Sequence, residues 1–304
     1  MQAKQLYKLL PRKIIKENEP LKNYTTFNIG GETIALLEPR TKQELIKCVK
    51  ACRALNVKWQ VIGNGSNLLA SSKKNNRVII VTTKMQFKPR LHQSTLTISS
   101  GTMVSQLVLW CAERGLSGLE SLYGIPATIG GMVMMNAGAF GFEMSRVIEN
   151  IEVFDGQRVK ILPASAIEFS HHKTSLLKTN FVVLSVDLKV SRLAPSVIYS
   201  KIKEICLLRR EKQPLGKSAG SVFRQVDSFL PAGLLIDKAG LKGAKVGGAV
   251  VSEKHANFII NEGFATDSDV KNLVLKIEKT VKEKFDIVLE REIEYIGDRD
   301  EYNR

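Results

Sequence analysis

From Ser121 to Phe142 the chain carries no charged side chain. A run of this length is enough for a helix to cross a bilayer, which takes about 20 apolar residues. This one is interrupted by Pro126 and by Gly124, Gly130, Gly131, Gly138 and Gly141. Inside a helix each glycine costs about 1 kcal/mol and a proline about 3 kcal/mol relative to alanine, so the segment makes a poor isolated helix. It reads instead as buried backbone, and residues with little side chain let such backbone lie against a flat ring or a pyrophosphate. No membrane span is expected. A tightly packed loop and helix without a ligand is the competing reading.

A second small-residue segment lies upstream. Gly63-Asn64-Gly65-Ser66-Asn67 follows a predicted strand over Lys58 to Ile62. Two glycines let successive amides turn inward as an anion-binding nest, and Ser66 and Asn67 add side-chain donors. The spacing is not the dinucleotide fingerprint, and no amphipathic helix follows. Taken alone it could be an ordinary tight turn. Paired with Gly124-Ile125-Pro126, Gly130-Gly131 and Asn136-Ala137-Gly138, it points to one large phosphate-bearing cofactor.

The surrounding pattern is mixed. Thr41 with Glu44 reads as a capping box opening a helix to about Asn56, and Gly115 closes a helix over Met103 to Arg114. Asp155-Gly156 marks a hairpin between Ile151–Phe154 and Arg158–Leu162. A strand over Phe181 to Val190 leads to a polar boundary at Ser191 to Ser196, then to a basic helix that must stop at Gln213-Pro214. Beyond it come a short helix over Ala232 to Ala239, a strand over Asn257 to Ile260, and a helix over Asp267 to Lys284 capped by Thr266. A last strand over Ile287 to Ile296 closes the chain. Short strands and helices without a βαβ rhythm indicate an α+β fold.

Three late segments carry polar groups. Ser218-Ala219-Gly220-Ser221 lacks the nucleophile elbow of a serine hydrolase. His255, in Ser252 to Phe258, is read as a hydrogen-bonded structural histidine. In Leu289-Glu290-Arg291-Glu292-Ile293, a period of two puts Glu290 and Glu292 on one strand face, ordinarily a solvated one. Cys48, Cys52, Cys111 and Cys206 form neither a disulfide framework nor a zinc spacing, and read as buried free thiols of a reducing compartment. The net charge of +15 is dispersed along the chain, which suits a solvated basic surface or ligands carrying several phosphates. A nucleic-acid protein would need clustered cations and aromatics, and aromatics are only 7%.

In order along residues 18 to 297, these segments resemble the UDP-N-acetylenolpyruvoylglucosamine reductase family. The matching stretches are Asn18 to Gly31, the Gly63 turn, Gly124 to Ala139, Ala219 to Phe223, Ser252 to Asn261 and Leu289 to Gly297. The resemblance implies a two-lobed FAD-binding domain of the PCMH/vanillyl-alcohol-oxidase type, with lobes over 1–85 and 86–195. An α+β substrate domain over 196–304 follows, in the family's shorter form. It further implies a cytoplasmic monomer in bacterial cell-wall synthesis, with FAD and NADPH as cofactors and a UDP-sugar as substrate. Hydride passes from NADPH through FAD to C3 of an enolpyruvyl group, and a proton reaches C2. The FAD would lie against Gly63, Asn64, Gly65, Ser66, Asn67, Gly124, Ile125, Pro126, Gly130, Gly131, Asn136, Ala137 and Gly138. By the same resemblance Ser221 is the proton donor to C2, and Glu292 stands near the substrate carboxylate, either protonated or holding a water.

Departures from the family pattern are informative. Its usual Tyr-Arg-x-Ser is replaced here by His172-Lys173-Thr174-Ser175, so Lys173 takes the arginine's place and loses the planar fork that suits a carboxylate. Ala127 stands where glycine is common, placing a methyl near the flavin. Lys212 resembles a lysine that contacts the substrate's diphosphate, and Gln225 holds the place of an asparagine that contacts substrate. A flavin oxidase of the same fold is the alternative enzyme; such relatives often attach flavin through histidine or cysteine, and neither occurs in the two glycine segments.

Overall fold

The computed structural model describes residues 2–226 and 230–297. Two compact units are each assembled from separated stretches. The first takes the chain up to Lys16, Ala35–Asn64 and Arg77–Arg209; the second takes Glu17–Ile34, Gly65–Asn76 and the chain from Arg210. The second unit is discontinuous because its pairing is non-local: Leu68–Ala70 lies parallel to Glu294–Ile296.

The first unit holds two sheets. One has the strand order Ile15–Glu17, Thr33–Leu37, Asn75–Val81, Trp59–Ile62. Against it pack helix α1 (Gln2–Leu9) and helix α2 (Lys42–Ala54), whose Leu45, Cys48, Val49 and Cys52 make a buried stripe at helical spacing. The Thr41 hydroxyl accepts the Glu44 N–H at 3.1 Å, while the Glu44 carboxylate reaches one residue further back than a capping box, to the Arg40 N–H at 2.7 Å. The other sheet is antiparallel, in the order Val159–Pro163, Ile148–Phe154, Val182–Lys189, Thr95–Ser99, Arg90–His92. Its hairpin turn is held by the Asp155 carboxylate, which accepts the N–H groups of Gln157 and Arg158 at 2.8 Å. Helix α3 (Val104–Ala112) ends before Gly115 as expected. The uncharged segment contains a short helix, α4 (Ile129–Met134), capped by Thr128, which the glycine count argued against. Helix α5 (Pro195–Lys212) stops at Gln213-Pro214.

The second unit packs helix α6 (Ala232–Lys238) and helix α7 (Asp267–Phe285) with a three-stranded antiparallel sheet, Lys245–Val246, Ala249–Val251 and Ile259–Asn261. A full capping box between Thr266 and Asp269 opens α7, which buries Val270, Leu273, Val274, Ile277 and Val281. The strand expected over Ile287 to Ile296 is a strand only at Glu294–Ile296. Ahead of it Arg291 is forked onto Glu278, at 2.5 and 2.7 Å, an ion pair that period-two alternation does not foresee. Short sheets and flanking helices give the α+β class read from the sequence. No helix among the described residues is long and apolar enough to cross a membrane.

Candidate active site

In the first unit three loops meet on one floor. The strand Trp59–Ile62 delivers Gly63 against the Thr128 side chain, which occupies the space a Cβ would need. The Asn64 Nδ2 donates to the Pro126 carbonyl at 2.8 Å. The amides of Ile129 and Gly130 donate to the carbonyls of Thr102 and Ser100 at 2.9 and 2.7 Å. The start of the α4 segment has therefore spent these amides on protein, and a ligand there meets hydroxyls and bare Cα atoms. The Ser100 and Thr102 hydroxyls are buried without a hydrogen-bond partner among the described residues, an arrangement that costs about 1–3 kcal/mol per group unless something else supplies one. Gly131 has room: a Cβ there would meet only the Thr128 hydroxyl, at 3.5 Å.

Asn136 has spent its side chain. Fully buried at φ +44°, it donates to Glu143 Oε2 and the Ser170 carbonyl and accepts the Ser145 N–H, each at 2.9 Å. Only its backbone can face a ligand. Ala137 donates its N–H to the Met132 carbonyl, and Gly138 pairs with Glu143. Ala127 does not present its methyl outward; it is buried in the unit's core. Gly124 and Pro126 are exposed and Ile125 half-buried. They are braced by Arg209 on α5, which donates to the carbonyls of Tyr123 (2.7 Å) and Ser121 (3.3 Å) and lies 5.1 Å from the Phe140 ring. Burial pushes the pKa of this guanidinium down. Lys173 is exposed on a two-residue hairpin, Phe169–Ser170 against Lys173–Thr174, tied to the end of α4 by the Thr174 hydroxyl donating to the Met134 carbonyl at 2.8 Å.

The second unit carries the rest of the glycine turn. Gly65 sits at φ +63° with the Tyr24 carbonyl where a Cβ would stand, so both space and backbone angle demand glycine. Thr26 ties this turn to the Ser221 segment: its N–H donates to the Gly65 carbonyl at 3.4 Å and its hydroxyl to the Ser218 carbonyl at 2.7 Å. Ser221 pairs with Phe258, and Phe223 with Arg291. Asn257 clamps Phe223 through both its amide atoms, at 2.9 and 2.8 Å. His255 is structural here. Its Nδ1 accepts the Asn257 N–H at 3.2 Å, its ring stands edge-on to Phe258, and burial lowers its pKa. The Glu292 N–H donates to the Val222 carbonyl at 2.8 Å. The Glu292–Val222 hydrogen bond and the Phe223–Arg291 bridge thus bring the backbone at Glu292 next to the segment that carries Ser221, about seventy residues away in sequence. Lys212 and Gln225 are exposed.

Among the described residues, no amide from Gly63 to Asn67 donates to a protein acceptor. Within the first unit, two buried hydroxyls without partners among the described residues and an open Cα at Gly131 suit a ligand that brings acceptors and a flat ring. Ser100, Thr102 and Arg209 escaped the sequence reading, and Thr26 and Asn257 lie in its matching stretches without a role assigned to them. Ser99-Ser100-Gly101-Thr102, a small polar run between strand and helix, is the signal that could have found the first two.

Comparison with known proteins is consistent across the chain. Residues 33–159 match the FAD binding domain family, and residues 211–296 match the family described as UDP-N-acetylenolpyruvoylglucosamine reductase, C-terminal domain. A UDP-N-acetylenolpyruvoylglucosamine reductase of Caldicellulosiruptor saccharolyticus is 40% identical over 286 residues, covering 93% of this chain and 92% of that protein. That of Caldanaerobacter subterraneus subsp. tengcongensis is 38% identical over 295 residues, covering 95% and 97%. The crystal structure of a UDP-N-acetylenolpyruvylglucosamine reductase from Thermus caldophilus superposes with a TM-score of 0.76 at 36% identity, over 91% of this chain and 97% of that one.

Proposed function

The chain belongs to the UDP-N-acetylenolpyruvoylglucosamine reductase family and is an FAD-dependent oxidoreductase; from that premise we propose that it reduces UDP-N-acetylglucosamine enolpyruvate to UDP-N-acetylmuramate with NADPH, in cytoplasmic peptidoglycan precursor synthesis. When bound, FAD would supply the hydride chemistry that links NADPH oxidation to reduction at C3 of the enolpyruvyl group. The chain's own residues manage what that leaves behind, a C2 in need of a proton and charge pushed onto the adjacent carboxylate. Ser221 gives its hydroxyl proton to C2. A serine is a weak acid, so its position must be aided by neighbours, and Glu292 stands beside it to hold the substrate carboxylate region. Lys173 offers a cation to the same carboxylate; one preorganised donor of this kind contributes about 3 kcal/mol to the barrier.

Cofactor and substrate are held by groups of known chemistry. FAD would be held by the amides of Gly63 to Asn67, by the Ser100 and Thr102 hydroxyls, and by backbone at Gly124, Ile125, Pro126, Gly130, Gly131, Asn136, Ala137 and Gly138. Lys212 takes the UDP diphosphate and Gln225 the sugar. The supporting observation is the hydrogen bond from the Glu292 N–H to the carbonyl of Val222, the residue after Ser221. Anaerobic NADPH should bleach the flavin band near about 450 nm, and the enolpyruvyl substrate should restore it. Bleaching without recovery would sink the substrate assignment.

A further inference from the structure

An asparagine side chain has two N–H donors and one carbonyl acceptor, and where it spends them decides its role. Asn67 ends the glycine turn, a place where a side-chain donor to a cofactor is expected. Its Nδ2 is instead directed to the backbone carbonyl of Glu292, at 3.0 Å. Its backbone carbonyl accepts the Glu294 N–H at 2.9 Å. Asn67 therefore grips the chain on both sides of Ile293. The Glu292 N–H is already held by Val222, in the segment that carries Ser221. The Glu292 backbone is therefore held at both its N–H and its C=O, which sets where its side chain starts from.

We infer that Asn67 is a positioning residue for Glu292: its Nδ2 hydrogen bond sets where the acid stands relative to the substrate, and so ties the flavin-binding turn to the step that consumes the reduced flavin. This rests on the role given to Glu292 above. A misplacement of about 1 Å can cost about a hundredfold in rate. Loss of the Nδ2 donor frees the Glu292 carbonyl to turn toward water, and the carboxylate moves with it. In the proposed site the turn would meet the cofactor through its backbone amides, which a change of the Asn67 side chain leaves in place.

The test separates the two half-reactions. Asn67→Ala should bind FAD in apoprotein titrations, and be bleached by NADPH, within about threefold of the unmodified enzyme, while reoxidation by the enolpyruvyl substrate slows about thirtyfold or more. Glu292→Gln should slow the same step, and the double variant should be no slower than Glu292→Gln alone, since two changes acting through one carboxylate are not additive. An FAD dissociation constant weakened about tenfold, or multiplicative losses in the double variant, overturns the inference. A slow Glu292→Gln beside a fast Asn67→Ala sinks this inference alone; a fast Glu292→Gln sinks the reading of Glu292 and this inference with it. Should Asn67→Ala not fold, Asn67→Ser replaces it, and failure of both assigns Asn67 a purely structural role.

Discussion

Lys173 shows how much one residue type can settle. An arginine at this place offers a carboxylate two parallel N–H donors in a fixed fork, whereas a lysine offers a mobile point charge. Here the lysine is exposed on a two-residue hairpin whose turn residue, His172, sits at φ +53°. The charge is kept and the geometry loosened. Lys173→Arg should hold or raise steady-state turnover, and Lys173→Ala should lower kcat by about a hundredfold, measured as NADPH oxidation; an inactive Lys173→Arg would show that the segment does not serve the carboxylate. The cysteines divide as sharply. Burial pushes the thiols of Cys48, Cys52 and Cys111 up to about 12, so they stay protonated at neutral pH. Cys206 is exposed, contrary to the expectation that all four thiols are buried. A thiol reagent at neutral pH should label Cys206 alone in the native protein and all four after unfolding, read by peptide mass; labelling of Cys48 or Cys111 in native protein would contradict the burial.

At the scale of elements, what was legible is what is local. Thr41, Thr266, Gly115 and Asp155-Gly156 each end or turn the chain through contacts within four residues, and each lies where the sequence puts it. The last strand was misjudged because its partner, Leu68–Ala70, is more than two hundred residues away, and no alternation pattern names a partner. Ser221 and Glu292 were legible only as family motifs, since the bridge from Phe223 to Arg291 that joins them is equally non-local. The same pairing is braced by a polar cluster at the start of α7. The Asp267 carboxylate accepts the Ser72 N–H at 2.9 Å and the Tyr295 hydroxyl at 3.1 Å, with the Lys271 ammonium at 3.0 Å. Burial alone would raise the Asp267 pKa, but the Ser72 and Lys271 hydrogen bonds outweigh it and hold the group below the usual aspartate range. A folded-state pKa below the unfolded one means stability that is fully present above the unfolded value of about 3.9 and lost as pH falls through the folded value. Asp267→Asn should cost about 3 kcal/mol at pH 7, because Lys271 is left half-buried without its counter-charge. In urea unfolding the gap to the unmodified protein should narrow below about pH 4; a gap that holds its size into acid would remove Asp267 from the acid response.

For the whole molecule, the two units explain why a scan along the chain divides it differently from its packing. Residues 17–34 and 65–76 lie early in the sequence, yet their Phe27, Ile29 and Leu69 are buried in one core with Val222, Phe223 and the apolar face of α7. A reading that moves from one residue to the next has no term for that core. The unsatisfied groups belong to this scale as well, because they bear on the stability of the protein with and without its cofactor. The Ser100 and Thr102 hydroxyls are buried and have no partner among the described residues. A ligand that satisfies them binds the folded chain and not the unfolded one, so it must stabilise folding by mass action. At FAD concentrations about a hundred times its dissociation constant the gain is about 2.7 kcal/mol, which raises a melting temperature by several degrees. Apoprotein should therefore melt lower than the yellow protein, and titrated FAD should raise the midpoint with the logarithm of its concentration. Ser100→Ala and Thr102→Val remove the buried hydroxyls from the apoprotein while weakening its hold on FAD. The double variant should melt at or above the unmodified apoprotein and gain less from FAD. A full gain would place both hydroxyls outside the cofactor site.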